Sequence, residues 1–185
     1  MDLQTAIDLE TATNERVVLR RRPEGLLSKD DVELEDGVAL PELADGEALI
    51  EVGWLGIDAT VRTWLSKAEG YLPAVEIGEA VRASGIGRVV ATRCETFPLG
   101  DFVYGLPGWQ RYGVVRDDPL ATHLGPEVDA PAMLSVYGAT GLTAYVGVVD
   151  IGKAEAGQTV VVSAAAGATG SLAAQIAKIS GCRVV

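Results

Sequence analysis

The segment that most constrains this chain is Thr159-Val160-Val161-Val162-Ser163-Ala164-Ala165-Ala166-Gly167-Ala168-Thr169-Gly170-Ser171-Leu172. Three consecutive valines, Val160 to Val162, predict a strand covered on both faces. From Ala165 the turn reads A-x-G-x-x-G, with Gly167 and Gly170 in place and Ala165 where a first glycine would stand. Gly167 would let a phosphate approach the backbone, and Gly170 would let helix and strand pack closely. The helix start that follows offers free N–H groups and a positive dipole end to an anion. A strand-to-helix turn also needs glycine for steric reasons alone, so the turn fits both half a dinucleotide site and a structural bend. Leu172, Ile176 and Ile179 recur at helical spacing, Gly181 follows as a stop, and Arg183-Val184-Val185 starts a second strand. The acidic residue that would hold a ribose, about 20 residues after the glycines, falls beyond Val185.

A length of 185 residues allows one or two domains. Hydrophobic content of 48% with 22% charged residues is that of a soluble globular chain. With 15 basic and 26 acidic residues the net charge is -11, which argues against a nucleic-acid partner, because phosphate contacts need a basic face. Met1-Asp2-Leu3-Gln4 does not begin a signal peptide, and no apolar run is long enough to span a membrane. A cytoplasmic protein without a membrane partner is therefore expected. Cys94 and Cys182 stand far apart and predict two buried or half-buried thiols, not a disulfide framework. Those two cysteines and a single histidine make no zinc site of the usual kind. His123 is expected in a surface loop, outside any catalytic role.

Residues 1–13 read as a loose leader. Arg16–Arg20 predicts a short strand, and Arg20-Arg21-Arg22, running into Pro23-Glu24-Gly25, a solvated strand end. Alternation at Asp31–Glu35 predicts a half-exposed strand and Glu47–Ile57 a longer one. Asp58–Leu65 predicts a short helix with Asp58 as its N-cap. Gly85–Ala91, Phe102–Gly105 and Trp109–Val115 predict further strands, the glycines marking bulges or a barrel corner. Short strands with regular turns up to about residue 120 predict a small β-barrel-like domain. Helices are expected at Ala130–Tyr137 and Gly141–Val149, with a polar loop at Lys153–Gln158. Trp54, Trp64 and Trp109 are expected in the core.

Several separated motifs fit one family. They are Arg22-Pro23-Glu24-Gly25, Ile77–Arg82 followed by Gly85–Val90, Phe97–Val103, Gly108-Trp109-Gln110, Gly141-Leu142-Thr143-Ala144-Tyr145, Ser163–Gly170 and Gln175–Lys178. From about Asn14 to Val185 the chain resembles the zinc-independent medium-chain dehydrogenase/reductases, in the branch of prostaglandin reductases, leukotriene B dehydrogenases and double-bond reductases. The likeness is to their N-terminal half, family members being roughly twice as long.

The resemblance implies an α/β fold with a β-rich part. A GroES-like β-barrel catalytic domain over 14–125 would be followed, over 126–185, by connecting helices and the first β-α unit of a Rossmann domain. The implied activity is NADPH-dependent reduction of the carbon–carbon double bond of α,β-unsaturated ketones or aldehydes, without a metal. Hydride would go to the β-carbon, while the protein positions the partners and stabilises an enolate. Carried over by motif, Ala166, Gly167, Ala168, Thr169 and Gly170 would touch the pyrophosphate. Thr143 would approach the nicotinamide end, the other reading being a helix hydroxyl bonded to its own backbone. Tyr145 would line the active site or pack between domains. The family's D-P-Y-M-R reads Asp58-Ala59-Thr60-Val61-Arg62, so Thr60 would make the substrate pocket wider and more polar. Ala139 replaces a methionine common in relatives. A small-molecule enone is the implied partner and a homodimer the implied assembly. Two other readings stay open: a non-catalytic binding or scaffolding module, and a quinone reductase or biosynthetic tailoring enzyme on the same fold.

Overall fold

Strand β3, Glu47–Leu55, begins with four successive buried residues, Glu47 to Ile50, because neighbours flank it on both edges and cover its faces. This computed structural model describes residues 9, 11–67, 70 and 72–185, so most of the predicted leader lies outside the described residues. The chain divides into two units, 1–128 and 129–185.

In the first unit an antiparallel sheet runs β6-β3-β4-β5-β7, with β4 at Gly85–Thr92, β5 at Phe102–Gly105, β6 at Tyr112–Arg116 and β7 at Thr122–Gly125. A separate pair joins β1, Thr13–Leu19, to β2, Val32–Ala39. Backbone bonds tie β1 to two further segments: Val17 N–H donates to Trp109 O at 2.8 Å and Leu19 N–H to Glu79 O at 3.0 Å. The register of β3 slips twice against β4. Gly87 lies beside the second slip, where a Cβ would stand 2.6 Å from the Glu51 carbonyl oxygen. The glycine expected to mark a bulge is thus required by close backbone approach.

Two apolar clusters fill this unit. Leu19, Val61, Trp64, Leu65, Val75, Val81 and Ala83 form one, and Ala48, Ile50, Val89, Phe97, Val103 and Val115 the other. Each fully buried leucine, isoleucine or phenylalanine contributes about 1.5–3 kcal/mol. Helix α1, Thr60–Trp64, joins the first cluster through Val61 and Trp64. Its cap is Ala59, one residue later than expected, although Asp58 still accepts from the Thr60 amide at 2.7 Å. The three arginines do end a strand, each in an ion pair: Arg20 with Glu33, Arg21 with Asp30 and Asp31, Arg22 with Glu76.

Two expectations are corrected in the first unit. Trp54 is 40% exposed, at the end of β3 that still pairs with β4 but runs past the last β6 partner, Tyr112, and its indole packs edge-on to Phe102. Trp64 and Trp109 do pack on the first cluster. His123 lies on β7, not in a loop, and its Nε2 is 2.6 Å from Asp101 Oδ2. Strand structure runs to Gly125, because β7 pairs with β5.

The second unit opens with α2, Ala130–Leu134, whose cap Asp129 accepts from the Ala132 amide. This helix stops before the expected Tyr137. The turn after it is so tight that a Cβ on Gly141 would collide with the Val136 carbonyl. Helix α3, Ala139–Tyr145, continues as a π-helical segment, Val146–Ile151. Strand β8, Thr159–Val160, pairs in parallel with β9, Arg183–Val184, and α4, Ala168–Ile179, connects them. The valine run is not the doubly covered strand expected of it. Val161 is 76% exposed, because among the described residues β8 has one strand neighbour. Cys182 is buried and Cys94 half-buried, as expected.

Candidate functional site

The turn from β8 into α4 is built by backbone constraint. Val162 N–H donates to Val185 O and Val185 N–H to Val160 O, which carries the parallel pairing to the edge of the turn. Ala164 then takes a left-handed φ of 52°, and Gly167 N–H closes on Ala164 O at 2.8 Å. A Cβ on Gly170 would strike that same carbonyl, whereas one on Gly167 would sit 3.2 Å from it. Gly170 is thus the packing glycine the motif predicts, and Gly167 tolerates more.

Helix α4 is electrostatically asymmetric. Its first turn has no acidic residue, and no side chain caps Gly167. The amides of Ala168, Thr169 and Gly170 therefore have no intrahelical acceptor. At the other end Lys178 complements the dipole, and Gly181, with φ 82°, closes the helix as Cys182 N–H donates to Ala177 O. Ala166, Gly167, Ala168 and Thr169 are exposed. This cradle fits a phosphate: open donors, a positive dipole end and no competing carboxylate.

Helix α3 packs against α4. On α3, Thr143 is exposed and its hydroxyl donates to Ala139 O at 2.7 Å. The proton of Thr143 is therefore committed to its own helix, while its oxygen can still accept. Tyr145 is 50% exposed.

In the first unit Thr60 is half-buried, with its amide held by Asp58 and its carbonyl accepting from Thr63 Oγ1. No hydrogen bond engages the Thr60 hydroxyl among the described residues. The approach to it in the chain is apolar and open: Trp54, Leu55 and Ile57 are all exposed.

A groove of about 490 Å³ elsewhere in this unit is lined by none of the predicted cofactor or substrate residues, though residues of the Ile77–Arg82 and Gly108–Gln110 motifs line it. Its wall is organised by Asn14, a buried side chain that the sequence reading did not single out. Asn14 Nδ2 donates to Gln110 Oε1 and to Tyr112 O, and Asn14 Oδ1 accepts from Tyr112 N–H. Both amide donors and the oxygen are thus engaged structurally. Nothing in local sequence marks an asparagine whose partners stand 96 and 98 residues away.

The family described as N-terminal domain of oxidoreductase matches residues 15–122, more than half of the chain. The chain belongs to this family. It is a zinc-independent medium-chain dehydrogenase/reductase, in accord with the resemblance of its motifs. The NADPH-dependent curcumin reductase of Escherichia coli (strain K12) is 38% identical over 174 residues, 93% of this chain and 50% of that protein. Prostaglandin reductase 1 of Bos taurus is 35% identical over 170 residues, 90% of this chain and 49% of the relative. CurA from Vibrio vulnificus, solved in complex with NADPH, superposes with a TM-score of 0.83 at 34% identity, over 92% of this chain and 50% of that one. The chain thus spans about half the length of the relatives it matches.

Proposed function

We propose that this chain forms the substrate-side domain and phosphate-binding turn of an NADPH-dependent reductase acting on α,β-unsaturated ketones or aldehydes. The observation that carries the reading is the uncapped, carboxylate-free start of α4 behind a turn that requires Gly170. A relative named as an NADPH-dependent reductase and a solved neighbour in complex with NADPH support the choice of cofactor. A donor set of one histidine and two distant cysteines suits a metal-free site.

When bound, NADPH supplies a hydride for the β-carbon of the enone. The chain's own residues hold and orient. Amides of Ala168, Thr169 and Gly170 take the pyrophosphate, with Ala166 and Gly167 leaving the backbone open beside it. Thr143 offers an acceptor oxygen toward the nicotinamide end, because its proton is already spent on Ala139. Thr60 adds one hydroxyl to an otherwise apolar surface of the first unit, and Tyr145 presents an exposed aromatic ring on α3 of the second. The working form is a cytoplasmic homodimer.

The test uses protein expressed from its complete reading frame. Titration of nicotinamide fluorescence should give micromolar NADPH binding, and enones should oxidise the cofactor. Gly170→Val, which forces the turn open, should weaken NADPH binding by about tenfold or more, equivalent to about 1.4 kcal/mol. Turnover of quinones without enones would overturn the substrate class. Unchanged NADPH affinity in Gly170→Val would overturn the assignment of the turn.

A further inference from the structure

Two motifs separate in sequence, Arg22-Pro23-Glu24-Gly25 and Asp58–Arg62, grip each other in the fold. Arg62 Nε donates to Gly25 O at 2.9 Å, and Arg62 Nη2 donates to Gly25 O at 2.8 Å and to Pro23 O at 2.9 Å. In return Arg22 Nη1 donates to Leu65 O, the C-cap carbonyl of α1, at 3.4 Å. Each segment thus lends the other an arginine. A guanidinium is suited to this, since its planar fork reaches two carbonyls at once while an ammonium presents a single point.

The clasp has something to hold. Helix α1 has five residues and no side-chain cap, so local propensity does not sustain it. Val61, Trp64 and Leu65 anchor its buried face, and the clasp fixes its flank. The turn it grips is demanding as well. Gly25 has φ 91°, Pro23 is buried, and Leu26 beyond them is 93% exposed. An almost fully exposed leucine on a pinned turn is a presented apolar group, not a loose one.

We propose that Arg62 is a positioning residue: it locks the Thr60 helix and the turn bearing Leu26 into one rim that selects the apolar part of the substrate. This inference rests on the enone-reductase reading above. Arg62 itself touches backbone, not the reacting atoms, so its effect belongs in KM.

The test is a series of enones with lengthening alkyl tails, reduced by wild type, Arg62→Ala, Arg62→Lys, Leu26→Ala and the Arg62→Ala/Leu26→Ala double variant, all in the complete protein. For the longest enone Arg62→Ala should raise KM about tenfold, with kcat and the KM for NADPH within about twofold. Arg62→Lys should recover only part of this. Leu26→Ala should lose the same chain-length preference, and the double variant should lose no more than either single, because both act through one rim. An equal loss for short and long enones, or fully additive losses, would overturn the proposal. Failure of wild type to reduce any enone would instead overturn the functional reading. The clasp then stands or falls on amide exchange: Arg62→Ala should speed exchange at Glu24–Leu27 and at Val61–Leu65 together, and unchanged exchange at Glu24–Leu27 would sink it.

Discussion

The unit ending at Val128 encloses Phe97, Leu19, Ile50, Leu65 and Ile86 almost completely, whereas the unit from Asp129 onward buries no apolar side chain larger than Cys182 among the described residues. Its other buried apolar side chains are alanines, Ala130, Ala144 and Ala177, while Leu142, Ile151, Val161 and Ile179 are all more than half exposed. Yet this thinly packed unit carries the turn proposed to hold a phosphate. Depth of core and precision of a site are thus separable. The turn into α4 keeps its amides open, and a Cβ at Gly170 would strike the Ala164 carbonyl that shapes it. The first unit works the other way: Thr60 sits on a helix that is held by a core on one side and an arginine clasp on the other.

The sharpest way to break this contrast is truncation in each unit. Ile50→Ala, in the second cluster, should cost about 2–5 kcal/mol in urea unfolding, the range for emptying a packed aliphatic site. An Ile50 variant that loses almost nothing would show that the first unit has no real core.

An intermediate effect is expected from pH, again in the first unit alone. Asp31 accepts from the Arg21 guanidinium at 2.7 Å and from the Ser28 amide and hydroxyl. The Arg21 bond, followed by the Ser28 amide, lowers its pKa to about 2. An unfolded aspartate titrates near 3.9. The folded form therefore binds this proton less readily, so its contribution is complete above about pH 4 and is lost as pH falls toward about 2. Urea midpoints measured across that window should fall in wild type and fall less steeply in Asp31→Asn. Parallel curves for the two proteins would remove Asp31 from the account.

The smallest effect sharpens the comparison from the opposite side. Ile179→Ala, at a site 86% exposed on α4, should stay within about 0.5 kcal/mol of wild type in the same unfolding assay. A loss comparable with that of Ile50→Ala would mean that the second unit is packed far more firmly than its exposure indicates.

Much of the local structure is legible in the residues themselves. Strands β3 to β6, helix α4 and its Gly181 stop, and the packing role of Gly170 all follow from alternation, helical spacing and glycine position. Each of these depends on residues within a turn or two of one another. Trp54 shows where such reading stops: aromatic bulk predicts a core residue, but only the reach of neighbouring strands decides that its indole is 40% exposed. The valine run fails for the same reason, since burial depends on a layer that must come from elsewhere, and Val161 has none among the described residues. His123 looks like a loop residue in the sequence because a four-residue edge strand carries too little pattern to register.

The family, the glycine turn and the identity of Thr60, Thr143 and Tyr145 as candidates are written in the linear chain. The Asn14 anchor, the His123–Asp101 contact and the exchange of Arg22 and Arg62 are not. The physical division is one of distance. Dihedral preference and periodicity act between neighbours, whereas Arg62 meets Gly25 across 37 residues and Asn14 meets Tyr112 across 98. Those pairings exist only once β1, α1 and β6 have been brought together by burial of the two clusters, and burial specifies which surfaces meet without naming the polar atoms it will bring within reach.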